Sequence, residues 1–209
     1  QCLEMLDAWG EQVPHGWVTG EDELGRHTWF RGELCARGER YVLGVPCTTT
    51  IRDLEVPLPA YQGCGRRPKA PWQSVRTWRK ALHPEGWTRL TVRDGEKGPV
   101  EIEMVTRRVQ TRLERKRTGP EEWLVVTRHP LSDDGILEGK SSPEATEHDG
   151  RYGYRYYLTP THVAEVELQK PPLPELARVI KAGTFIEASF QRGKGEVGMD
   201  EYQVRTWQG

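Results

Sequence analysis

Hydrophobic and polar positions repeat with a helical period near the N-terminus of this chain. Residues 3–9 and 28–36 place apolar side chains at helical spacing. Short apolar runs at 15–20 and 40–45 flank the second of these segments and have the length of strands. The order strand, helix, strand predicts a βαβ unit with parallel strands.

The middle of the chain changes to a period of two, which is typical of half-buried strands. Apolar and acidic residues alternate over 100–104, and the turn-forming pair at 94–95 predicts a hairpin between that segment and 90–92. Residues 123–127 and 152–156 follow the pattern of further strands. The sequence therefore predicts a β-rich central region.

Two stretches of this region lack any periodic pattern. From about residue 47, Pro57, Pro59, Pro68 and Pro71 predict an irregular connector. Residues 132–150 are rich in Ser, Asp, Glu and Gly, and we expect a mobile loop there.

A helical pattern returns over residues 175–196, which contain no proline. One face of this helix is formed by Leu176, Ile180, Gly183, Glu187, Phe190 and Lys194. Glu187 and Lys194 therefore lie on the apolar stripe. A buried carboxylate needs a partner or a metal, so either an ion pair with Lys194 or an arginine, or a metal site, is expected at Glu187.

Composition excludes several classes of protein. The 209 residues are 35% hydrophobic, with eight Trp and seven Tyr, which argues against a disordered chain. No apolar run approaches the ~20 residues of a membrane span, so we expect no membrane association. The four cysteines form no CxxC pair, which argues against a zinc site and favours a reducing, cytoplasmic location.

The net charge of −1 hides an uneven distribution. Residues 61–120 contain 15 basic and 6 acidic side chains, a net charge of +9. Such a block is typical of phosphate binding, although a solvated basic face is the plainer alternative. Trp72, Trp78 and Trp87 lie within it and either stack on bases or belong to the core.

Acidic side chains are expected at two separate places that could converge. Glu21 and Asp22 follow the first strand of the βαβ unit, where ligands collect at carboxyl ends of strands. Glu187 lies on the inward face of the C-terminal helix. Carboxylates from separate elements can hold a pair of Mg²⁺ ions that stabilise both oxygens of a phosphoryl displacement.

Two segments give these acids a family context. Residues 186–198 read IEASFQRGKGEVG and precede MDEYQVRTW, while residues 17–26 read WVTGEDELGR and run into GERYVLGVP at 38–46. Together they resemble the bacterial insertion-sequence DDE transposases whose RNase H-like catalytic domain is interrupted by a β-rich insertion.

The resemblance implies an α/β fold in three parts, which are an RNase H-like strand–helix–strand region at 1–46, a basic β-rich insertion at 47–170, and the helix with the third acid at 171–209. It implies cleavage and strand transfer of double-stranded DNA at transposon ends and target, with Mg²⁺ or alternatively Mn²⁺, and a homodimer in the DNA complex. The implied catalytic and metal-binding residues are Glu21 or Asp22, and Glu187. The expected DNA-binding residues are Lys194, Arg192, Arg107, Arg108, Arg112, Arg115, Lys116 and Arg117.

The chain departs from the family pattern in three respects. The family's Asp position falls on Glu21, with Asp22 beside it. Basic residues that usually precede the third acid are replaced at 183–185 by Gly, Thr and Phe. The first catalytic Asp of the family is missing, so we expect a chain truncated at both ends. A non-catalytic DNA-binding remnant or inhibitor is therefore an alternative function, and a β-rich interaction domain with structural acids is a third.

Overall fold

The computed structural model of the chain describes residues 1–95, 98–113, 117–130 and 146–197. Over these ranges the protein is mixed α/β, with a large, mostly antiparallel sheet and few helices. The helices are α1 (Cys2–Trp9), α2 (Asp22–Gly25), α3 (Thr28–Ala36), α4 (Val75–Lys80) and α5 (Leu173–Val197). The strands are β1 (Val18–Gly20), β2 (Tyr41–Gly44), β3 (Thr50–Asp53), β4 (Gln73–Ser74), β5 (Thr88–Gly95), β6 (Gly98–Arg112), β7 (Thr118–Pro130), β8 (Thr146–His148), β9 (Tyr152–Pro160), β10 (His162–Val163) and β11 (Val166–Glu167).

The predicted βαβ unit is confirmed. Strands β1 and β2 pair in parallel, with Val18 opposite Tyr41, and α2 and α3 connect them. Helix α3 has the predicted bounds because its apolar face, with Phe30 and Leu34, is buried against β2. Strand β1 is shorter than predicted, since it begins at Val18 instead of His15.

One sheet joins the first two of the three parts that the sequence predicts. The strands lie in the order β1-β2-β9-β7-β6-β3-β4, with β5 also paired to β6 and β8 to β9. All pairs except β1–β2 are antiparallel. Leu43 of β2 lies opposite Leu158 of β9, so the sheet is continuous from the βαβ unit into the predicted insertion.

The predicted hairpin is also confirmed. Strand β5 pairs over its length with the first half of β6, and Ile102 and Met104 are buried while Glu101 is exposed. Asp94 and Gly95 still pair with β6. The residues expected to form the turn are therefore the end of the strand.

The expectation of an irregular connector from residue 47 is wrong at both of its ends. Strands β3 and β4 and helix α4 lie inside it, and the long stretch without helix or strand is residues 54–72, which contain the four prolines. Strand β3 forms because Ile51, fully buried, pairs with Thr111 of β6, a contact too distant in sequence to predict. Helix α4 begins at Val75 and is capped by Ser74, whose hydroxyl accepts a hydrogen bond from the Thr77 amide at 3.1 Å.

The predicted loop at 132–150 is partly wrong as well. Residues 146–148 form β8, paired with β9. Residues 131–145 lie outside the described residues.

The predicted C-terminal helix is confirmed as α5. Leu176, Ala177 and Ile180 are buried against a cluster that includes Val42 and Met104, so the helix covers one face of the sheet. Within the described ranges, no helix is long and apolar enough to cross a membrane.

A buried ion pair ties the βαβ unit to the rest of the sheet. Arg31 of α3 and Glu122 of β7 are 2% and 1% exposed, and Arg31 Nε donates to Glu122 Oε1 at 2.7 Å. The same carboxylate accepts hydrogen bonds from the Tyr41 hydroxyl at 2.7 Å and from Thr111 at 3.0 Å. Burial and the charge of Glu122 raise the pKa of Tyr41 well above its ordinary value, so Tyr41 remains a donor.

Candidate functional site

The acidic end of β1 is held tightly against β2. Glu21 immediately follows β1 in an extended conformation, and Asp22 is the first residue of α2. A Cβ at Gly25 would overlap the carbonyl oxygen of Gly44, and one at Gly44 would lie 3.0 Å from the Asp22 amide nitrogen. Two glycines therefore let the backbones approach closely enough to fix the position of both acids.

The two adjacent acids occupy different environments. Asp22 is 4% exposed, and its Oδ2 lies 2.9 Å from Arg26 Nη2 in an ion pair within α2. Glu21 is exposed. A buried carboxylate requires such a cationic partner or a metal, and Asp22 meets that requirement through Arg26.

A small cleft opens between these acids and β9. Its volume is about 20 Å³, and its lining consists of Gly20, Glu21, Asp22, Gly44, Val45, Arg155, Tyr156 and Tyr157. A space of ~10–15 Å³ is enough for one water-sized group. The cleft can therefore take a water molecule or a bare ion between two carboxylates and one arginine.

Arg155 is the cationic member of this cleft, and it acts on its neighbours. Burial raises the pKa of Tyr157, while the charge and hydrogen bond of Arg155 oppose that shift and the charge of Glu21 adds to it. Burial lowers the pKa of Lys181 on α5, and repulsion from Arg155 lowers it further. Arg155 thus lines the cleft with the two acids and is also close enough to Lys181 of α5 to affect its pKa.

Helix α5 runs beside β1 in the same direction. Trp17, just before β1, donates its indole N–H to the Glu175 carboxylate at 3.0 Å. Two turns further along the helix, a Cβ at Gly183 would lie 3.5 Å from Thr19 Oγ1. With a rise of ~1.5 Å per helical residue, the backbone of Glu187 lies ~6 Å beyond that contact. Glu21 lies two residues, ~6.6 Å, beyond the same contact with Thr19 in the direction of β1.

The backbone of Glu187 is therefore at about the level of the acidic end of β1. Its side chain, like those of Arg192 and Lys194 on the same helix, lies outside the described residues. Carboxylate oxygens are the ligands that Mg²⁺ prefers, so the chemistry of Glu21 and Asp22 fits that ion. Among the side chains that the structure describes, no three His, Cys, Asp or Glu residues form a metal-binding group.

Two of the predicted DNA-binding residues are already engaged with acids. Arg107 Nη1 lies 2.9 Å from Glu55 Oε2, and its Nε lies 3.6 Å from Asp53. Arg108 Nη2 lies 2.9 Å from Glu121 Oε2. These ion pairs reduce the positive charge that the pair of arginines presents to solvent.

Two further predicted DNA-binding residues of the basic block, Arg112 and Arg117, lie at the end of β6 and just before β7. Arg112 lies over the ring of Trp72, with its guanidinium carbon 5.4 Å from the ring centroid. Arg117 is exposed just before β7. Arg115 and Lys116 lie outside the described residues.

The three tryptophans of the basic block differ in role. Trp78 is 5% exposed and donates its indole N–H to Asp53 at 2.8 Å, so it belongs to the core. Trp87 packs at the edge of the core beneath Arg128. Trp72 is half-buried and carries arginines on its ring.

No family model matches this chain, and no curated protein matches it either. Its function is therefore inferred from the geometry of the cleft. Sequence reasoning missed Arg155 and Tyr157 because each reaches the cleft through the pairing of β9 with β2. The alternating pattern predicted over 152–156 included Arg155 but ended before Tyr157.

Proposed function

We propose that this chain is the catalytic region of a DDE transposase, with an RNase H-like core interrupted by a β-rich insertion. Its reaction is metal-dependent cleavage of double-stranded DNA followed by transfer of the 3′-end to a target. The parallel β1–β2 pair, covered by α5, supports the RNase H-like assignment of the core.

The observation that supports the proposal most is the register of α5 on β1. The contacts from Trp17 to Glu175 and from Thr19 to Gly183 follow the same order along the two elements. Two acids that lie about 165 residues apart in sequence thereby approach the same end of the sheet. Such convergence is what a two-metal phosphoryl transfer requires of a protein.

The residues of the cleft have separate roles in this proposal. Glu21 or Asp22, together with Glu187, would hold Mg²⁺, which supplies Lewis acidity to the phosphate oxygens when bound. Arg155 would bind a non-bridging oxygen of the scissile phosphate and neutralise its charge.

A non-catalytic DNA-binding protein is the second candidate. The ion pair between Asp22 and Arg26 favours it, because a carboxylate neutralised by arginine has less charge to offer a metal. In that case the acids of the cleft would be structural, and the basic residues of the chain would still bind DNA.

Nicking by the full-length protein tests the proposal. The substrate is a supercoiled plasmid that carries both ends of its element, in Mg²⁺, and the variants are Glu187→Gln, Glu21→Gln and Asp22→Asn. The matched control is Glu23→Gln, because Glu23 is exposed beside Asp22 and does not line the cleft.

We expect Glu187→Gln to slow nicking at least about 100-fold, since a metal supplies several kcal/mol of transition-state stabilisation. Of the other two acids, the one that binds metal should give a similar loss, with DNA binding unchanged. If the wild-type protein binds DNA without nicking it, the second candidate is correct. If Glu187→Gln nicks as fast as Glu23→Gln, the assignment of the third acid is wrong.

A further inference from the structure

Arg52, Trp72 and Arg112 form a stack at the end of the sheet where β4 pairs with β3 and β3 pairs with β6. The pairing of Ile51 with Gln73 makes Arg52 and Trp72 cross-strand neighbours. The guanidinium carbon of Arg52 lies 4.2 Å from the Trp72 ring centroid, and that of Arg112 lies 5.4 Å from it. Trp72 thereby orients two positive charges.

This stack forms one side of an open basic cleft of about 440 Å³. The lining residues are Arg52, Arg66, Arg67, Lys69, Ala70, Pro71 and Trp72. Of these described lining residues, four are basic and none is acidic. The side-chain Nε of Arg52 is buried and makes no hydrogen bond within the described part of the chain.

The charge of this cleft differs from that of the neighbouring arginines. Arg107 and Arg108 were expected to bind DNA, yet each lies against a carboxylate. Arg66 and Lys69 are exposed, and Arg67 lies over the ring of Tyr61 at 5.6 Å. The described part of the basic block therefore presents at this cleft four cations with no carboxylate among the lining residues.

We propose that this cleft is a binding site for the sugar–phosphate backbone of DNA. The exposed cations at residues 66, 67 and 69 span ~10 Å if the segment is extended. Phosphates of one strand repeat every ~3.4 Å along the duplex axis, so the segment faces two to three of them. A shallow, elongated set of cations fits a repeating polyanion better than it fits a single phosphate group.

The inference rests on the proposed function, because an enzyme that transfers DNA strands must hold DNA away from its reacting phosphate. It goes beyond that function by locating the contact at Arg52, Arg66, Arg67, Lys69 and Trp72. The acidic cleft and the basic cleft share no lining residue, so each can be substituted separately.

Charge reversal at Arg66 and Arg67 tests the inference. Both are exposed and outside any helix or strand, so the variant should fold. The matched control reverses Arg151 and Lys170, which are also exposed and give the same change in net charge. The measurement is fluorescence anisotropy of a labelled 30-base-pair duplex titrated with the full-length protein, from about 50 to 200 mM salt.

We expect Arg66→Glu with Arg67→Glu to weaken duplex binding at least about tenfold and to lower the salt slope by about two, the loss of two phosphate contacts. The control should change the Kd by less than about threefold. Equal affinity of the two variants would overturn the inference, as would displacement of the duplex by poly-glutamate at equal charge, which would indicate an acidic protein partner.

The nicking and binding experiments test the catalytic site and the basic cleft separately. If the Glu187→Gln variant keeps full nicking activity but the Arg66 and Arg67 variant loses DNA binding, the basic cleft stands without the proposed catalytic site. If the reverse holds, the catalytic site stands and the basic cleft does not.

Discussion

Replacing Glu122 with glutamine is expected to destabilise the protein more than any single change on its surface. Glu122 is 1% exposed and neutralises Arg31, which is 2% exposed. It also accepts hydrogen bonds from Tyr41 and Thr111. Glu122→Gln nearly keeps the shape of the side chain but leaves the Arg31 guanidinium as an uncompensated buried charge. Breaking a buried pair in this way costs about 3–5 kcal/mol.

The neighbouring residue provides a matched control. The Glu121 side chain is 40% exposed and pairs with Arg108, which is 35% exposed. An exposed pair of this kind contributes about 0–1 kcal/mol. Glu121→Gln makes the same chemical change one residue away on the same strand, so the difference between the two variants reports the effect of burial.

Urea denaturation followed by circular dichroism measures both losses as shifts of the midpoint at a constant slope. The double variant Arg31→Met with Glu122→Gln is expected to lose less than the sum of the single losses, with a coupling of about 2–3 kcal/mol. If Glu122→Gln loses no more stability than Glu121→Gln, the ion pair does not join the βαβ unit to the sheet and the reasoning fails.

Two further predictions concern the surroundings of the cleft. Gly25→Ala is expected to cost about 1–3 kcal/mol through overpacking, because its Cβ would overlap the Gly44 carbonyl. Gly32→Ala, with nothing within 4 Å of the added Cβ, should be neutral or stabilising. Thermal unfolding of both variants measures the difference, and equal stability of the two would contradict the close approach of Gly25 to Gly44. A backbone hydrogen bond and the Glu39 carboxylate raise the pKa of His15 above 6.5, so this contact stabilises the fold below pH 6.5 and is lost as the pH rises through the folded-state pKa. Proton NMR should show a lower pKa for His15 in Glu39→Gln than in the wild type, and an unchanged value would contradict the contact.

The spacing of apolar residues was sufficient to predict the helices and strands that are formed by residues close together in the sequence. Helix α3 and the β5–β6 hairpin follow from the spacing of their own apolar residues. Strand β3 could not be predicted, because its four residues are defined by pairing with β6 more than fifty positions later. The pair of Arg31 and Glu122 is separated by 91 residues, and its only local signal is an arginine near the apolar face of α3.

Counting charges along the sequence could not predict contacts between distant residues at the candidate sites either. It identified a basic block correctly but could not distinguish Arg107, which lies against Glu55, from Arg66, which is exposed. The partner of each arginine depends on the register of strands that are distant in sequence. The same holds for Arg155, which reaches the acidic cleft only because β9 pairs with β2.

Binding of Mn²⁺ to the full-length protein, measured by electron paramagnetic resonance with and without Glu187→Gln, tests the central claim most directly. Glu187 and the acids after β1 are proposed to hold the same ions, so the loss of one carboxylate should weaken Mn²⁺ binding at least about tenfold. Glu23→Gln should leave binding unchanged. An Mn²⁺ affinity that is the same in the wild type and in Glu187→Gln would contradict the account.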